Sequence, residues 1–394
     1  MENKWIRAAI PALLIHSCIG SVYCWSLLKG DIAQMMSVQV PEIEFAFSLA
    51  IFFLGTSAAF GGRFVERNVK LSSLLSTVFF CTGLILSIVS IKLQSVWGLM
   101  LSYGCCMGIG LGIGYLSPVK TLMLWFSKHK GLATGIAISG FGLSKVLFSP
   151  FIEWCSSTLN VKWTLGLMAL ISSVCMITAV WLIRKPKDWV EPKTEFRLEE
   201  YTGILKNPVF LKIWFIFYLN ITCGLALIAF EKSIALVVGI TEIGLLASLT
   251  ATFNTLGRFG YSSISDWMKH KENIYLTIFL SSLVVMFLGN LHMTLMLVII
   301  MLCVINAGYG GGFSTLPTLL QSKFGMTKIS TIHGLALSAW AWAGLSGNQL
   351  SNLVIEKLHL SYTTLFLILG VLYVVALGVT MTIPKNYTRW TQTK

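Results

Sequence analysis

The chain has 394 residues, 55% of them hydrophobic and 11% charged, with a mean hydropathy of +0.78. Soluble domains carry about 25% charged residues, so this composition excludes a soluble enzyme, a disordered regulator and a secreted disulfide scaffold, and makes lipid the solvent. The excess of 29 Lys and Arg over 16 Asp and Glu would suggest nucleic acid in a soluble protein; here the question is where those charges lie relative to a bilayer.

Apolar runs punctuated by charge predict twelve membrane helices. They fall near 7–28, 43–62, 71–93, 96–126, 131–152 and 163–183, then 209–231, 244–265, 274–291, 293–320, 333–354 and 361–383. The expected architecture is an all-α membrane protein of two six-helix bundles, residues 1–183 and 208–394, joined by a polar, proline-bearing linker over 184–207. The first run is too long for a cleaved signal region and reads as a retained anchor. Its His16 is a proton carrier or a satisfied core histidine. The second run ends in Gly61-Gly62-Arg63-Phe64-Val65-Glu66-Arg67. This segment reads as a turn in which Gly62, Arg63, Glu66 and Arg67 latch one conformation, with Asp266 as the counterpart at the end of the eighth run. A latch in a two-state machine needs only a modest bias; the alternative is an ordinary basic loop.

The halves echo each other. GIGLGIGYLSP (108–118) in the fourth run matches AGYGGGFSTLP (307–317) in the tenth, and GLATGIAISGFGLSK (131–145) in the fifth matches GLALSAWAWAGLSGN (334–348) in the eleventh. The glycine clusters permit close helix packing, a flexible cavity lining, or both. The fourth and tenth runs exceed what a hydrocarbon core of ~30 Å requires, so they tilt or protrude. Nine cysteines without a CxxC and six scattered histidines give no ligand spacing, so no metal and no cofactor are expected.

With the N-terminus in the cytoplasm, the 29 Lys and Arg sort as 21 on the cytoplasmic side, five outside (Lys29, Lys92, Lys162, Lys232, Lys357) and three within spans (Lys120, Lys145, Arg258). This asymmetry fits the positive-inside rule with both termini cytoplasmic. An ionisable residue in hydrocarbon is costly and points to function. Arg258 stands eight residues before Asp266, about 12 Å into the membrane. Its guanidinium fork suits a carboxylate, and Asn254 stands one turn earlier on the same face. Glu44, Glu153 and Glu231 lie near span ends, so the carboxylate expected at Arg258 is the substrate's. Lys145, about 21 Å into the fifth run, is a second anion contact or snorkels outward. Lys120, about 9 Å in, is expected to snorkel. Tyr23, Trp25, Tyr115, Tyr309, Phe313, Trp340 and Trp342 are candidates to wall a small cavity, with Tyr309 and Phe313 sharing a helix face.

At GSVYCWS (20–26), GIGLGIGYLSPV (108–119), LWFSKHKGLATGIAISGFG (124–142), RKPKDWVEP (184–192), NTLGRFGYSSISD (254–266) and YGGGFSTLP (309–317) the chain resembles the oxalate–formate antiporter family. That family is a branch of the major facilitator superfamily related to monocarboxylate transporters. The resemblance implies alternating access with a carboxylate held between the halves. It places the family's arginine on Arg258 and its aromatic positions on Tyr309 and Phe313. A lysine of the oxalate branch falls on Trp340 here, which turns the expectation toward monocarboxylates such as formate, pyruvate or lactate, with Lys145 as a substitute cation. The acid that monocarboxylate carriers place one turn before the arginine is Asn254 here.

The function expected is therefore secondary active exchange of a small organic anion across the plasma or inner membrane, with proton-coupled monocarboxylate symport as the alternative. The expected partners are the carboxylate and lipid, with no nucleic acid, and the carrier is expected to be a monomer. A sensor lacks an output domain, and a membrane enzyme would need converging nucleophile, acid–base or metal groups that the sequence does not offer.

Overall fold

A computed structural model describes residues 3–189 and 198–387. Within these residues every regular element is helical. The twelve membrane helices are α1 Trp5–Met36, α2 Val40–Arg67, α3 Val69–Lys92, α4 Val96–Trp125, α5 Lys130–Thr158 and α6 Val161–Leu182, then α7 Pro208–Val237, α8 Ile243–Ser265, α9 Glu272–Leu291, α10 Leu295–Phe324, α11 Ile329–Ser351 and α12 Tyr362–Met381. A short helix, Leu198–Leu205, precedes α7. The middle of the 184–207 linker, with Lys193 and Arg197, lies outside the described residues, as do Arg389 and Lys394.

The helix starts are written into the connections. A chain re-entering lipid must satisfy its first backbone N–H groups, and short polar side chains do this at successive starts. Asn68 accepts from Lys70 N and Leu71 N at α3, and Asn160 from Lys162 N and Trp163 N at α6. Asn207 accepts from Val209 N and Phe210 N at α7, with Pro208 in the first turn. Gln39 and Glu42 form a reciprocal capping box at α2.

Ten of the described helices are long and apolar enough to cross a membrane. α8 and α11, richer in Ser, Thr, Gly and Asn, are not among those ten, and α8 carries Arg258. Large apolar side chains cover the outer surface, among them Phe60, Trp97, Trp181, Val174 and Leu367. In water such a surface would aggregate; against lipid it is the solvated face. The protein is an all-α membrane protein of twelve transmembrane helices.

The helices gather into two compact units. The first comprises α1–α6 with Lys328–Ala341, the first half of α11; the second comprises α7–α10, the remainder of α11, and α12. Within the first unit the early part of α11 packs on a stripe of small residues along α2. A methyl group on Gly62 would stand 2.3 Å from Ser330 O, and one on Gly334 would stand 2.1 Å from Ala58 O.

Two local expectations are corrected. Gly61–Arg67 is not a turn but the last two turns of α2; Gly62 is glycine there because Ser330 and Thr331 of α11 occupy the space a side chain would need, and Gly61 faces Ile113 of α4. Lys120 does not snorkel: it is 2% exposed and forms an ion pair with Glu66.

Candidate functional site

Arg258 lies in the interior of α8 and is 2% exposed. Its Nε donates to Asn254 Oδ1 at 2.8 Å, the one-turn pairing the sequence suggests. Its Cζ stands 5.4 Å from the centre of the Phe313 ring on α10, within cation–π range. Phe313 is held edge-to-face by Tyr309 at 5.2 Å and by Phe217 of α7 at 5.0 Å.

The glycine cluster of α10 allows this proximity. A methyl on Gly310 would lie 2.2 Å from Asn254 O and 2.9 Å from Arg258 Cγ, and one on Gly312 would lie 2.1 Å from Asn220 Nδ2. The cluster therefore packs α10 against α8 and α7, and through that packing sets the position of the guanidinium. Asn220, buried on α7, donates to Gly308 O at 3.4 Å. Arg258, Asn254, Tyr309 and Phe313 are thus assembled within the second unit.

The first unit assembles a different group. Tyr115 and Phe141 stand 5.9 Å apart, and Trp340 stands 5.9 Å from Tyr115 and 6.0 Å from Phe141. Tyr23 meets Phe141 at 5.4 Å. His16 stacks on Tyr115 at 5.2 Å, and His333 meets the Tyr115 ring at 5.9 Å. Sequence reasoning selected Tyr23, Tyr115 and Trp340 but missed Phe141, their common neighbour, and His333. Trp342 is instead 55% exposed, since two residues along a helix turn the side chain about 200° away. Trp25 packs on Tyr103 at 4.6 Å. Around Tyr23 the helix tightens to a 3₁₀ stretch, Gly20–Cys24, a local departure often found at functional positions. Lys145 is half-buried on α5, within electrostatic reach of Cys24.

Glu66 is the hub of a third cluster. Besides its ion pair with Lys120, its Oε1 accepts from Ser330 N at 2.6 Å and from Thr331 N at 3.4 Å. These are among the orphan N–H groups of the start of α11, where the helix dipole favours an anion. Lys185 Nζ donates to Glu66 O at 2.6 Å. Among the other expected latch residues, Gly62 abuts Ser330 O, Arg63 is half-buried and Arg67 exposed. Asp266 caps the end of α8. Beside it, burial pulls the Lys271 ammonium below the usual lysine range while the Asp266 charge pulls it up. The second unit holds a buried pair of its own, unmarked in the sequence reading: Lys323 Nζ stands 3.0 Å from Glu272 Oε2.

Residues 11–348 match the family model of the Major Facilitator Superfamily, and the chain belongs to that family of transporters; it is not an enzyme. The oxalate:formate antiporter of Oxalobacter formigenes is 23% identical over 98% of this chain and 93% of its own length. The apicoplast pyruvate carrier 1 of Toxoplasma gondii is 21% identical over 91% of this chain and 85% of its own length. Among solved structures, the Major Facilitator Superfamily transporter FucP in the outward conformation superposes with a TM-score of 0.75 at 11% identity, covering 96% of this chain and 98% of that one.

Proposed function

We propose that the protein exchanges small organic anions, monocarboxylates such as formate, pyruvate or lactate ahead of the dicarboxylate oxalate, by alternating access. The observation that carries this reading is Arg258: a permanently charged fork buried in α8, aimed by Asn254 and backed by Phe313. A guanidinium binds a carboxylate through two parallel, charge-assisted hydrogen bonds. Tyr309 would shape the cavity on the Arg258 side, and Tyr23, Tyr115 and Trp340 would wall it from the N-terminal half. Lys145 is the candidate second cation. Trp340, apolar where the oxalate branch is expected to carry lysine, favours a single carboxylate. The names of the two relatives above support the same substrate class.

In this reading the bundles 1–183 and 208–394 rock about the bound anion. Gly62, Arg63, Glu66, Arg67 and Asp266 act as latches at the cytoplasmic ends, and both termini lie in the cytoplasm of a cell that holds the carrier, as a monomer, in its inner or plasma membrane. A bound carboxylate neutralises the buried guanidinium charge, which would otherwise disfavour the closed intermediate, so the loaded carrier changes state more readily than the empty one, which is the condition for exchange. One observation favours proton-coupled symport as a second reading: the hydrogen bonding of His16.

The test is counterflow in proteoliposomes with labelled formate, pyruvate, lactate and oxalate. Exchange predicts uptake that requires internal anion; uptake driven by a pH gradient alone, with no internal anion, would establish symport instead. No counterflow of any of the four would overturn the substrate class.

A further inference from the structure

The face of α8 that carries the guanidinium also holds a carboxylate. Thr250, Asn254 and Arg258 follow one another at one-turn spacing, so they form a single polar stripe along the helix. Asn254 Oδ1 accepts from Arg258 Nε at 2.8 Å. One turn further from Asp266, Thr250 Oγ1 donates to Glu231 Oε1 of α7 at 2.7 Å, closer than to its own-helix neighbour Ala247 O at 3.1 Å. Thr250 is 2% exposed and Glu231 half-buried, with Cys303 of α10 within electrostatic reach of the carboxylate. The sequence places Glu231 near a span end, away from the arginine; the hydrogen bond to Thr250 turns it onto the stripe that the arginine shares.

The spacing along α8 sets how strongly the two charges act on the same cargo. Eight residues separate Thr250 from Arg258, about 12 Å of helix axis. Helical side chains lean toward the N-terminus of their helix, and Arg258 does so to reach Asn254. The guanidinium and the Glu231 carboxylate therefore stand on the order of 10 Å apart. A carboxylate docked on Arg258 fills the guanidinium, and a second carboxylate on the same cargo, extended along the stripe, faces Glu231. At an effective dielectric constant of about 20 and that separation, each added negative charge is disfavoured about ten-fold. Among the described residues of the second unit, the buried cations are Arg258 and Lys323, and Lys323 is engaged beside Glu272. Lys232, the next residue after Glu231, is exposed and turned about 100° away around α7.

We propose that Glu231 is a specificity-determining residue that limits the cargo to one negative charge, with Thr250 as the positioning residue that fixes its carboxylate. The proposal rests on the reading of Arg258 as the carboxylate anchor. It adds to the effect of Trp340, which withholds a second cation, whereas Glu231 supplies a repulsion. The cargo class this selects is a carboxylate whose remaining part is uncharged, and dicarboxylates are disfavoured by charge rather than by size.

Oxalate and oxamate test this at nearly constant shape, since oxamate replaces one carboxylate of oxalate by an uncharged amide. Thermal-shift titration of the purified carrier gives the half-saturating concentration of each. Wild-type protein is expected to prefer oxamate, and Glu231→Gln to raise the affinity for oxalate relative to oxamate by about ten-fold. Glu231→Asp, which keeps the charge, should retain the wild-type preference. An unchanged ratio in Glu231→Gln overturns the proposal; if the protein without anion also melts at a lower temperature, Glu231 is a structural counter-charge only. Should Glu231→Gln fail to fold, Thr250→Val releases the carboxylate from its position and should move the ratio in the same direction by a smaller factor; no movement overturns the proposal. Counterflow of labelled oxalate in proteoliposomes should improve in parallel. The expected binding ratios without counterflow of any carboxylate would overturn exchange and leave Glu231 as the selector. Binding of neither anion by wild-type carrier would overturn the anchor at Arg258, and the selector with it.

Discussion

In the second unit the buried cation is held by side chains: Asn254 Oδ1 accepts from Arg258 Nε, and Phe313 lies beneath the guanidinium. In the first unit the buried imidazole is held by the main chain, through the carbonyls of Ala137 and Tyr115. A side-chain bracket around an arginine fixes the direction of a charge that never changes. A carbonyl bracket around a histidine ties the ring to the backbones of α5 and α4. The same contrast runs through the buried lysine–glutamate pairs. Glu66 joins Lys120 to the start of α11, whereas Lys323, beside Glu272, directs its other donors to Pro384 O and Lys385 O after α12.

Five substitutions test how far this contrast holds. Glu66→Gln should have the largest effect, since it strands the Lys120 charge in the interior; breaking a buried pair costs about 3–5 kcal/mol. Thermal denaturation in detergent should show the loss, and adding Lys120→Met should recover much of it. A single Glu66→Gln protein as stable as wild type would remove the pair from the stability of the first unit. Next, Arg258→Gln should leave a folded, monodisperse protein whose anion counterflow falls by about 100-fold, the loss of two charge-assisted hydrogen bonds at about 1.5 kcal/mol each. Full counterflow in that variant would refute the anchor.

Gly310→Ala should cost about 1–3 kcal/mol through overpacking and also weaken anion binding, because the methyl meets both Asn254 O and Arg258 Cγ. Gly112→Ala, whose methyl would stand 2.1 Å from Leu54 O in the first unit, should cost similar stability with anion affinity unchanged. Equal losses of affinity in the two variants would erase the distinction between the units. The smallest effect is expected for Asn254→Ala, which removes one orienting hydrogen bond, about 1 kcal/mol or five-fold in apparent affinity, measured as the half-saturation of counterflow.

The spans were legible because lipid demands apolar runs, and α2 to α12 begin within a few residues of where charge and turn residues place them. The pairing of Arg258 with Asn254 was legible because one helical turn separates them. The pairing of Lys120 with Glu66 was not, because hydropathy gives depth without giving the face of each helix. Opposite charges near the same end of the second and fourth spans were the available signal. The environment of His16 was invisible for a deeper reason: its partners are backbone carbonyls, which every residue possesses. Gly61–Arg67 misled because two glycines beside charges read as a turn in water, whereas here they are helix, Gly61 against α4 and Gly62 against α11.

The glycines that bring α10 onto α8 and α7 also restrict how the protein can be altered. At Gly310, Gly312 and Gly257 the space for a methyl is already filled by backbone or by Asn220. An unvarying glycine there, across any set of relatives, would record helix separation rather than contact with cargo. By contrast Gly30, Gly260 and Gly378 have no atom within 4 Å of where a methyl would sit, all three lie in helices, and none has a positive φ. Alanine at those three positions should rigidify the chain without touching its machinery, a starting point for a hardier protein.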